Sequence, residues 1–313
     1  MQNLYAAPLE GVTFAVWRQA HRAVFGGADR YYAPFFSPGN NMRFQTKELR
    51  ELSGGEPDLV PQVLTNRSDW FLWAANELRA MGYREVNFNL GCPSGTVVAK
   101  HKGSGALRDL GELDALLNEI FSGLPAGMQL SVKTRIGLNS PEEWPMLLEV
   151  FGRYPISELT VHPRVQREFY NGSAHRDVFL KTLEQTALPL VYNGDVTAPE
   201  DPAFSWGCGV MVGRGLVGDP ALLRRVRGGA PADREELVRF HGLLLEGYAA
   251  YMPGEQPLLH RMKEFWRYFA ASFGDADRPL KALQKAKTLP DYRSAADSIL
   301  CTCPLRGEMM FIM

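Results

Sequence analysis

Short runs of apolar and β-branched residues recur along the first two thirds of the chain, each ending in polar or turn-forming residues. They are LYAAPLE from Leu4, YYAPFFSP from Tyr31, LVPQVLT from Leu59, VNFNLGCP from Val86, QLSVKTRI from Gln129, ELTVHPR from Glu158, LPLVYNGD from Leu188 and GVMVGRG from Gly209. Most are separated by stretches with helical spacing of apolar residues, such as WFLWAANELRAMG and LGELDALLNEIFSGL. Runs of this length predict strands, and their alternation with amphipathic helices predicts β/α units around a parallel sheet covered on both faces. Eight such units close a TIM (β/α)8 barrel; the rival α/β architecture is a doubly wound open sheet.

The polar residues favour the barrel. Gln62, Asn89, Cys92, Lys133, Arg135, His162, Asn193, Asp195 and Arg214 all lie at or just beyond the C-terminal end of a predicted strand, and in a barrel those ends converge on one mouth. After about residue 220 the strand pattern stops. EELVRFHGLLLEGYAAYM, LLHRMKEFWRYFAASF and PLKALQKAKTL read as helices, with MPGEQP and GDADRP as breakers between them. The expected organisation is an α/β TIM-barrel catalytic domain over residues 1–228, followed by a small C-terminal helical domain over 229–313.

Composition is that of an ordinary globular protein, 45% hydrophobic and 22% charged. No apolar run approaches the roughly 18 residues a membrane span needs, so no membrane partner is expected. The start, MQNLYAAPLEG, lacks the basic and apolar segments of a signal peptide, which predicts a cytoplasmic protein. Four cysteines, at 92, 208, 301 and 303, form no disulfide framework, and the lone CxC near the end has no second ligand cluster beside it, so no metal site is expected. Oligomeric state is not legible, and a monomer is the default.

Net charge is −1, which by itself argues against a nucleic-acid partner. Its distribution is uneven: residues 221–293 carry 13 Lys and Arg against 9 Asp and Glu, a balance of +4, whereas residues 1–220 carry −4. A basic helical end on an acidic body suits phosphate contact, and a solvated helix face gives the same pattern.

The chemistry-bearing motifs follow the strand ends. GRGLVG at 213–218 matches GxGxxG, but it follows the last predicted strand, where a dinucleotide fingerprint does not belong. It fits better, with NGD at 193–195, as the phosphate site that barrels build from the loops after strands 7 and 8, where Arg214 supplies a fork. Lys133 suits a Schiff base or an ammonium that stabilises ring charge, and Arg135, two residues on and facing the same way, would depress its pKa. His162 at a strand end is a candidate ligand contact or a structural histidine. Cys92 lies between Gly91 and Pro93, with glycines at 95, 103 and 105, which predicts a mobile loop over the mouth. The turn puts the thiol in the mouth rather than in the core, and nucleophile and general acid both remain open for it on spacing alone.

Taken together, APLEGVT, NFNLGCPSGTVVAKHKGSGAL, SVKTRIGL, VHPRVQREFYNGSAHRD, VYNGDV and GVMVGRGLVGDP resemble, in order and rough spacing, the flavin-dependent tRNA-dihydrouridine synthases. The resemblance covers about residues 4–220. It implies an FMN-containing barrel with a helical RNA-binding domain, hydride transfer from reduced FMN to C6 of a tRNA uracil, and NADPH as the reductant. Carried over by motif, Cys92 is the acid that protonates C5, and Asn89 and Arg135 contact the substrate. Pro8, Leu9, Glu10, Gln62, Lys133, His162, Asn193, Gly194, Asp195, Gly213 and Arg214 hold FMN. The chain departs from the family at Phe14, where an aspartate is usual, at Leu9 for methionine and at Pro163 for glycine. Two competing readings are a flavin barrel acting on a small dihydropyrimidine or dihydroorotate-like substrate, and an RNA-binding protein on a barrel that no longer turns over.

Overall fold

The structure is a computed structural model that describes residues 2–52 and 54–306; the apolar end MMFIM lies outside them. All eight predicted strands form, as nine segments: β1 (Leu4–Ala6), β2 (Arg30–Tyr32), β3 (Leu59–Val60), β4 (Gln62–Val63), β5 (Glu85–Leu90), β6 (Gln129–Arg135), β7 (Leu159–His162), β8 (Leu190–Tyr192) and β9 (Gly209–Val212). They make one sheet in the order β3-β2-β1-β9-β8-β7-β6-β5-β4. The two edges of that order, β3 and β4, are the same run of chain, interrupted only at Pro61, whose missing N–H cannot join a ladder. β3 pairs with β2 and β4 pairs with β5, both parallel, so the sheet returns on itself as an eight-stranded barrel.

Two compact units emerge from the contacts within the chain. The first comprises Met1–Pro8, Arg30–Asp195 and Pro202–Met211; the second comprises Leu9–Asp29, Val196–Asp201 and Val212–Met313.

In the first unit, helices alternate with strands for local reasons visible in the sequence. Helix Leu110–Gly123 starts at Asp109, whose carboxylate accepts from the amides of Gly111 (2.8 Å) and Glu112 (2.9 Å), and it buries Leu113, Leu117 and Ile120, one stripe at 3.6-residue spacing. That stripe packs beside helix Ser68–Ala80, which buries Phe71, Ala74, Ala75 and Leu78. Near the strand starts, Tyr5 and Tyr32 donate their hydroxyls to Glu158 at 2.7 and 3.1 Å, which satisfies a carboxylate whose pKa burial pushes up.

The second unit is helical. Helix Arg234–Ala249 opens with a reciprocal capping box between Asp233 and Glu236 and packs on helix Ala15–Val24. Helix Glu255–Phe269 buries Leu258, Leu259, Met262, Phe265, Trp266 and Phe269. Among the helices of this unit that the sequence reading did not name are Ala15–Val24 and Leu289–Thr302, which begins with Pro290 at an N-terminal position and Thr288 as its cap. The first buries Trp17, Arg18 and His21, with Trp17 stacked 4.8 Å from His21; the second buries Tyr292, Ala296, Ile299 and Leu300 on one face, and Tyr292 bonds Trp266.

Candidate active site

Period-two alternation decides which side chains enter the barrel. In β5, Val86, Phe88 and Leu90 are fully buried, and the Phe88 ring lies 5.0 Å from Phe71 on helix Ser68–Ala80; Asn87 and Asn89 therefore face inward. Register pairs Asn87 with Ser131 and Asn89 with Lys133, so Ser131, Lys133 and Arg135 of β6 share that inner face. Gln62 of β4 pairs with Asn87. The amides interlock: Gln62 Nε2 donates to Asn87 Oδ1 (2.8 Å), Asn87 Nδ2 donates to Ser131 Oγ (2.9 Å), and Asn89 Nδ2 donates to Gln62 Oε1 (2.7 Å). This buried network fixes the orientation of each amide across three strands.

Cys92 sits at the end of this network. Asn89 Oδ1 accepts from the backbone amides of Gly91 (3.1 Å) and Cys92 (3.0 Å), closing the turn that leaves β5. The Cys92 carbonyl accepts from the hydroxyl of Ser104 (2.9 Å) and from its amide (3.1 Å). Gly103 has φ +56°, and a Cβ there would lie 2.8 Å from the Cys92 carbonyl and 2.9 Å from its Cβ. The expected loop is thus a folded piece, with a helical turn at Gly95–Val98 and a 3-10 turn at Gly103–Arg108. Its glycines permit close approach as well as bending: a Cβ on Gly105 would meet the Val98 carbonyl at 2.6 Å.

Lys133 is pushed down to about 7, by burial first and then by Arg135, with Cys92 acting in the opposite direction. The sequence identified the Arg135 effect; the larger cause, burial in the barrel, needs the fold. Arg135 is itself engaged by backbone. Its Nε donates to the Gly91 carbonyl (3.0 Å), Nη1 to Val165 (3.0 Å) and Nη2 to Phe169 (2.6 Å), and its guanidinium stands 5.3 Å over the Tyr170 ring. It clamps the turn before Cys92 to the loop after β7. Gln166 adds a second tie, donating to the Pro93 carbonyl at 3.0 Å.

His162 and Asp195 are joined by a residue the sequence reading passed over. Arg164, 1% exposed, donates to His162 Nε2 (3.0 Å), to Asp195 Oδ1 (3.1 Å) and Oδ2, and to the Gly172 carbonyl (2.6 Å). A guanidinium only donates, so Nε2 accepts and the ring proton sits on Nδ1. The signal was in the triplet HPR, since residues two apart face the same way in a strand, as Lys133 and Arg135 do. Asn193 Nδ2 donates to the Met211 carbonyl (2.8 Å), tying β8 to β9. Gly194 is required by the Tyr192 hydroxyl, which a Cβ would meet at 2.0 Å.

Pro8 ends the first stretch of the first unit, while Leu9, Glu10, Gly213 and Arg214 belong to the second. There the Leu9 carbonyl accepts from the amides of Val12 and Thr13, both at 3.0 Å, in a tight turn. Arg261 donates to the Gly11 carbonyl and stands 4.5 Å over the Phe14 ring, so a cation–π contact occupies the position where the family usually has an aspartate. Gly213 precedes helix Arg214–Gly218, and a Cβ on Gly215 would meet the Val196 carbonyl at 2.0 Å. A cavity of about 730 Å³, lined by Arg30, Glu56, Tyr83, Arg84 and Glu85 among others, lies at the opposite end of the strands, where stability rather than chemistry is usually served. Among the described residues no helix is long and apolar enough to cross a membrane.

A closed parallel barrel with a cysteine, a depressed lysine and interlocked amides at its strand ends defines an enzyme of the α/β-barrel class. A family model described as dihydrouridine synthase matches residues 5–277, and the chain belongs to that family. Over 242 residues it is 29% identical to a protein of Ralstonia nicotianae named tRNA-dihydrouridine(16) synthase, covering 73% of each chain. A probable tRNA-dihydrouridine synthase of Rickettsia prowazekii is 30% identical over 188 residues, covering 58% of this chain and 53% of that one. One of Staphylococcus epidermidis is 25% identical, covering 82% of this chain and 80% of the relative. Among solved structures, the fold is similar to histamine dehydrogenase from Rhizobium sp. 4-9 (TM-score 0.54, 10% identity, 84% of this chain and 49% of that one). It is also similar to 2-naphthoyl-CoA reductase (TM-score 0.55, 10% identity, 74% and 50%).

Proposed function

We propose that this protein is a flavin-dependent tRNA-dihydrouridine synthase that uses FMN, with NADPH as the external reductant and Cys92 as the acid that protonates C5 of the target uracil. The observation that carries the reading is the turn holding Cys92: Asn89 fixes its amide, Ser104 fixes its carbonyl, and Arg135 ties the preceding Gly91 carbonyl to the loop after β7.

The donor set at the strand ends suits a flavin. Gln62, Asn193 and His162 offer uncharged polar groups for a ring system, and Lys133 offers a cation for the charge that a reduced flavin or uracil ring carries. Pro8, Gly194 and Asp195 in the first unit, and Leu9, Glu10, Gly213 and Arg214 in the second, take their cofactor roles from the family resemblance alone. When bound, reduced FMN supplies the hydride that C6 of the uracil accepts.

The protein's own residues do the rest. Cys92 keeps its proton until C5 gains electron density, which suits a thiol rather than a thiolate. Asn89 and Arg135 both hold the turn that leads into Cys92, and this positioning accounts for their presence whether or not either touches the substrate. The target uridine must leave its stack to reach the barrel mouth, and contacts to the RNA backbone offset that cost. The second unit, with its basic helices, is proposed as one source of those contacts.

The test is to map dihydrouridine in tRNA from cells lacking the gene, then to complement with wild type and with Cys92→Ala. Position 16, printed in the name of the Ralstonia relative, is the first to map. The expected result is loss of dihydrouridine at a defined position, restored by wild type and not by Cys92→Ala. If no dihydrouridine is lost, the reading falls; full rescue by Cys92→Ala removes the acid role alone.

A further inference from the structure

The basic residues that sequence counting located in the C-terminal helices have a counterpart on the barrel unit. Residues 86–108 contain Lys100, Lys102 and Arg108 and no Asp or Glu, inside a first 220 residues whose overall balance is acidic. Lys100, His101 and Arg108 are exposed and Lys102 is half-buried. Among the described residues none of the three cations has an acidic partner, in contrast to nearby Arg67, which pairs with Asp69 at 2.6 Å. An island of unneutralised charge of this kind raises the local potential, and Lys102 is accordingly lowered, by burial first and then by Lys100.

The backbone at Lys100 and the side chains of Lys102 and Arg108 are also held in place. The carbonyl of Lys100 accepts from Asn66 Nδ2 (3.1 Å). Lys102 Nζ donates to Ser37 Oγ (3.1 Å) and stands 5.2 Å over the Trp70 ring, with the Arg67 guanidinium 4.9 Å from that ring. Arg108 donates to His101 Nε2 at 3.0 Å. His101 has φ +54°, a conformation that costs a non-glycine residue about 1 kcal/mol and is retained where the surroundings impose it. Ser37, Asn66 and Lys100 belong to the loops after β2, β4 and β5, so the cluster knits together three neighbouring loops at the barrel mouth. Through Gly103 and Ser104 it is one hydrogen bond from the Cys92 carbonyl.

We propose that Lys100, Lys102 and Arg108 bind the RNA backbone phosphates beside the target uridine, so that the loop presenting the acid is also docked by the strand it acts on. This rests on the reading of the protein as a tRNA-dihydrouridine synthase. Phosphate charge is the complement of three cations on one loop that have no acidic partner among the described residues, and the pinning through Ser104 couples their docking to the position of Cys92. Anchoring on the barrel unit would hold the RNA next to the reacting base.

The experiment compares tRNA binding by the wild-type holoprotein and by a Lys100→Ala, Lys102→Ala, Arg108→Ala triple variant across salt concentrations. Flavin content and thermal melting serve as controls. The triple variant is expected to bind tRNA about tenfold or more weakly near 0.1 M salt, with a salt slope reduced by about 2, since each lost phosphate contact removes roughly 0.7 to 0.9. Unchanged affinity and slope in a folded, flavin-loaded variant overturn the proposal. Wild-type protein that binds no tRNA overturns the functional reading and this proposal with it. Should the triple variant fail to fold, Lys100→Glu and Arg108→Glu, each at an exposed position, give the same test singly; unchanged slopes there overturn the proposal equally.

Discussion

Asn89 holds Cys92 by accepting its backbone N–H at 3.0 Å while donating to Gln62 at 2.7 Å, so the thiol's turn is anchored to a side chain on the neighbouring strand β4 and through it to the buried amide network. Replacing Asn89 by Ala leaves the amides of Gly91 and Cys92 and the Gln62 oxygen without this partner, a loss of about 1–3 kcal/mol. The oxidation of reduced flavin by tRNA is expected to slow at least about tenfold with flavin content retained, because misplacing a donor by 1 Å can cost about a hundredfold. Asn89→Asp keeps the two amide bonds and should recover part of the rate. Stopped-flow traces showing Asn89→Ala at the wild-type rate would remove the positioning role.

Gly103→Ala introduces a Cβ 2.8 Å from the Cys92 carbonyl at a left-handed position. Both strain and contact act on the loop that carries Cys92, so a destabilisation of about 1 kcal/mol or more is expected. Turnover should fall while flavin absorbance stays normal. A variant with wild-type melting temperature and turnover would show that the loop relaxes freely.

Lys133 is held at about 7, well below its unfolded value, chiefly by burial. Between about pH 7 and the unfolded lysine pKa near 10.4 the unfolded chain binds the extra proton, so this group's penalty is full below pH 7 and is relieved as pH rises. In flavin-free protein, Lys133→Met is expected to raise the melting temperature at pH 7 and to flatten the rise in stability from pH 7 to 10. Parallel curves for both proteins over that range would contradict the assignment. The same substitution should weaken flavin binding, since the cation is then gone.

Arg164 joins His162 to Asp195 from a position 1% exposed. Arg164→Met removes every donor at once and leaves the histidine Nε2 and a partly solvated carboxylate without it, a cost of about 2–3 kcal/mol. Purified variant should lose flavin on dialysis as well as melting lower. Arg164→Lys cannot reproduce the fork and is expected to rescue little. Flavin retention equal to wild type in Arg164→Met would confine the residue to a structural role.

Much of this protein was legible in the chain itself. The eight strand runs, the polar residues at their ends and the turn around Cys92 follow from local pattern, because strand length, period-two alternation and Gly–Pro punctuation are properties of neighbouring residues. NFN and SVKTR already carry the inward polar face in their alternation. The tertiary structure decided what those side chains hold. Arg135 and Arg164 are spent on backbone carbonyls and on neighbours 30 or more residues away, and no spacing rule reports such partners. It also decided that Lys133 is buried, that Pro61 interrupts one strand rather than separating two, and that Ala15–Val24 packs with the C-terminal helices. Each of these depends on contacts between distant segments, which exist only once the barrel has closed and the helices have packed.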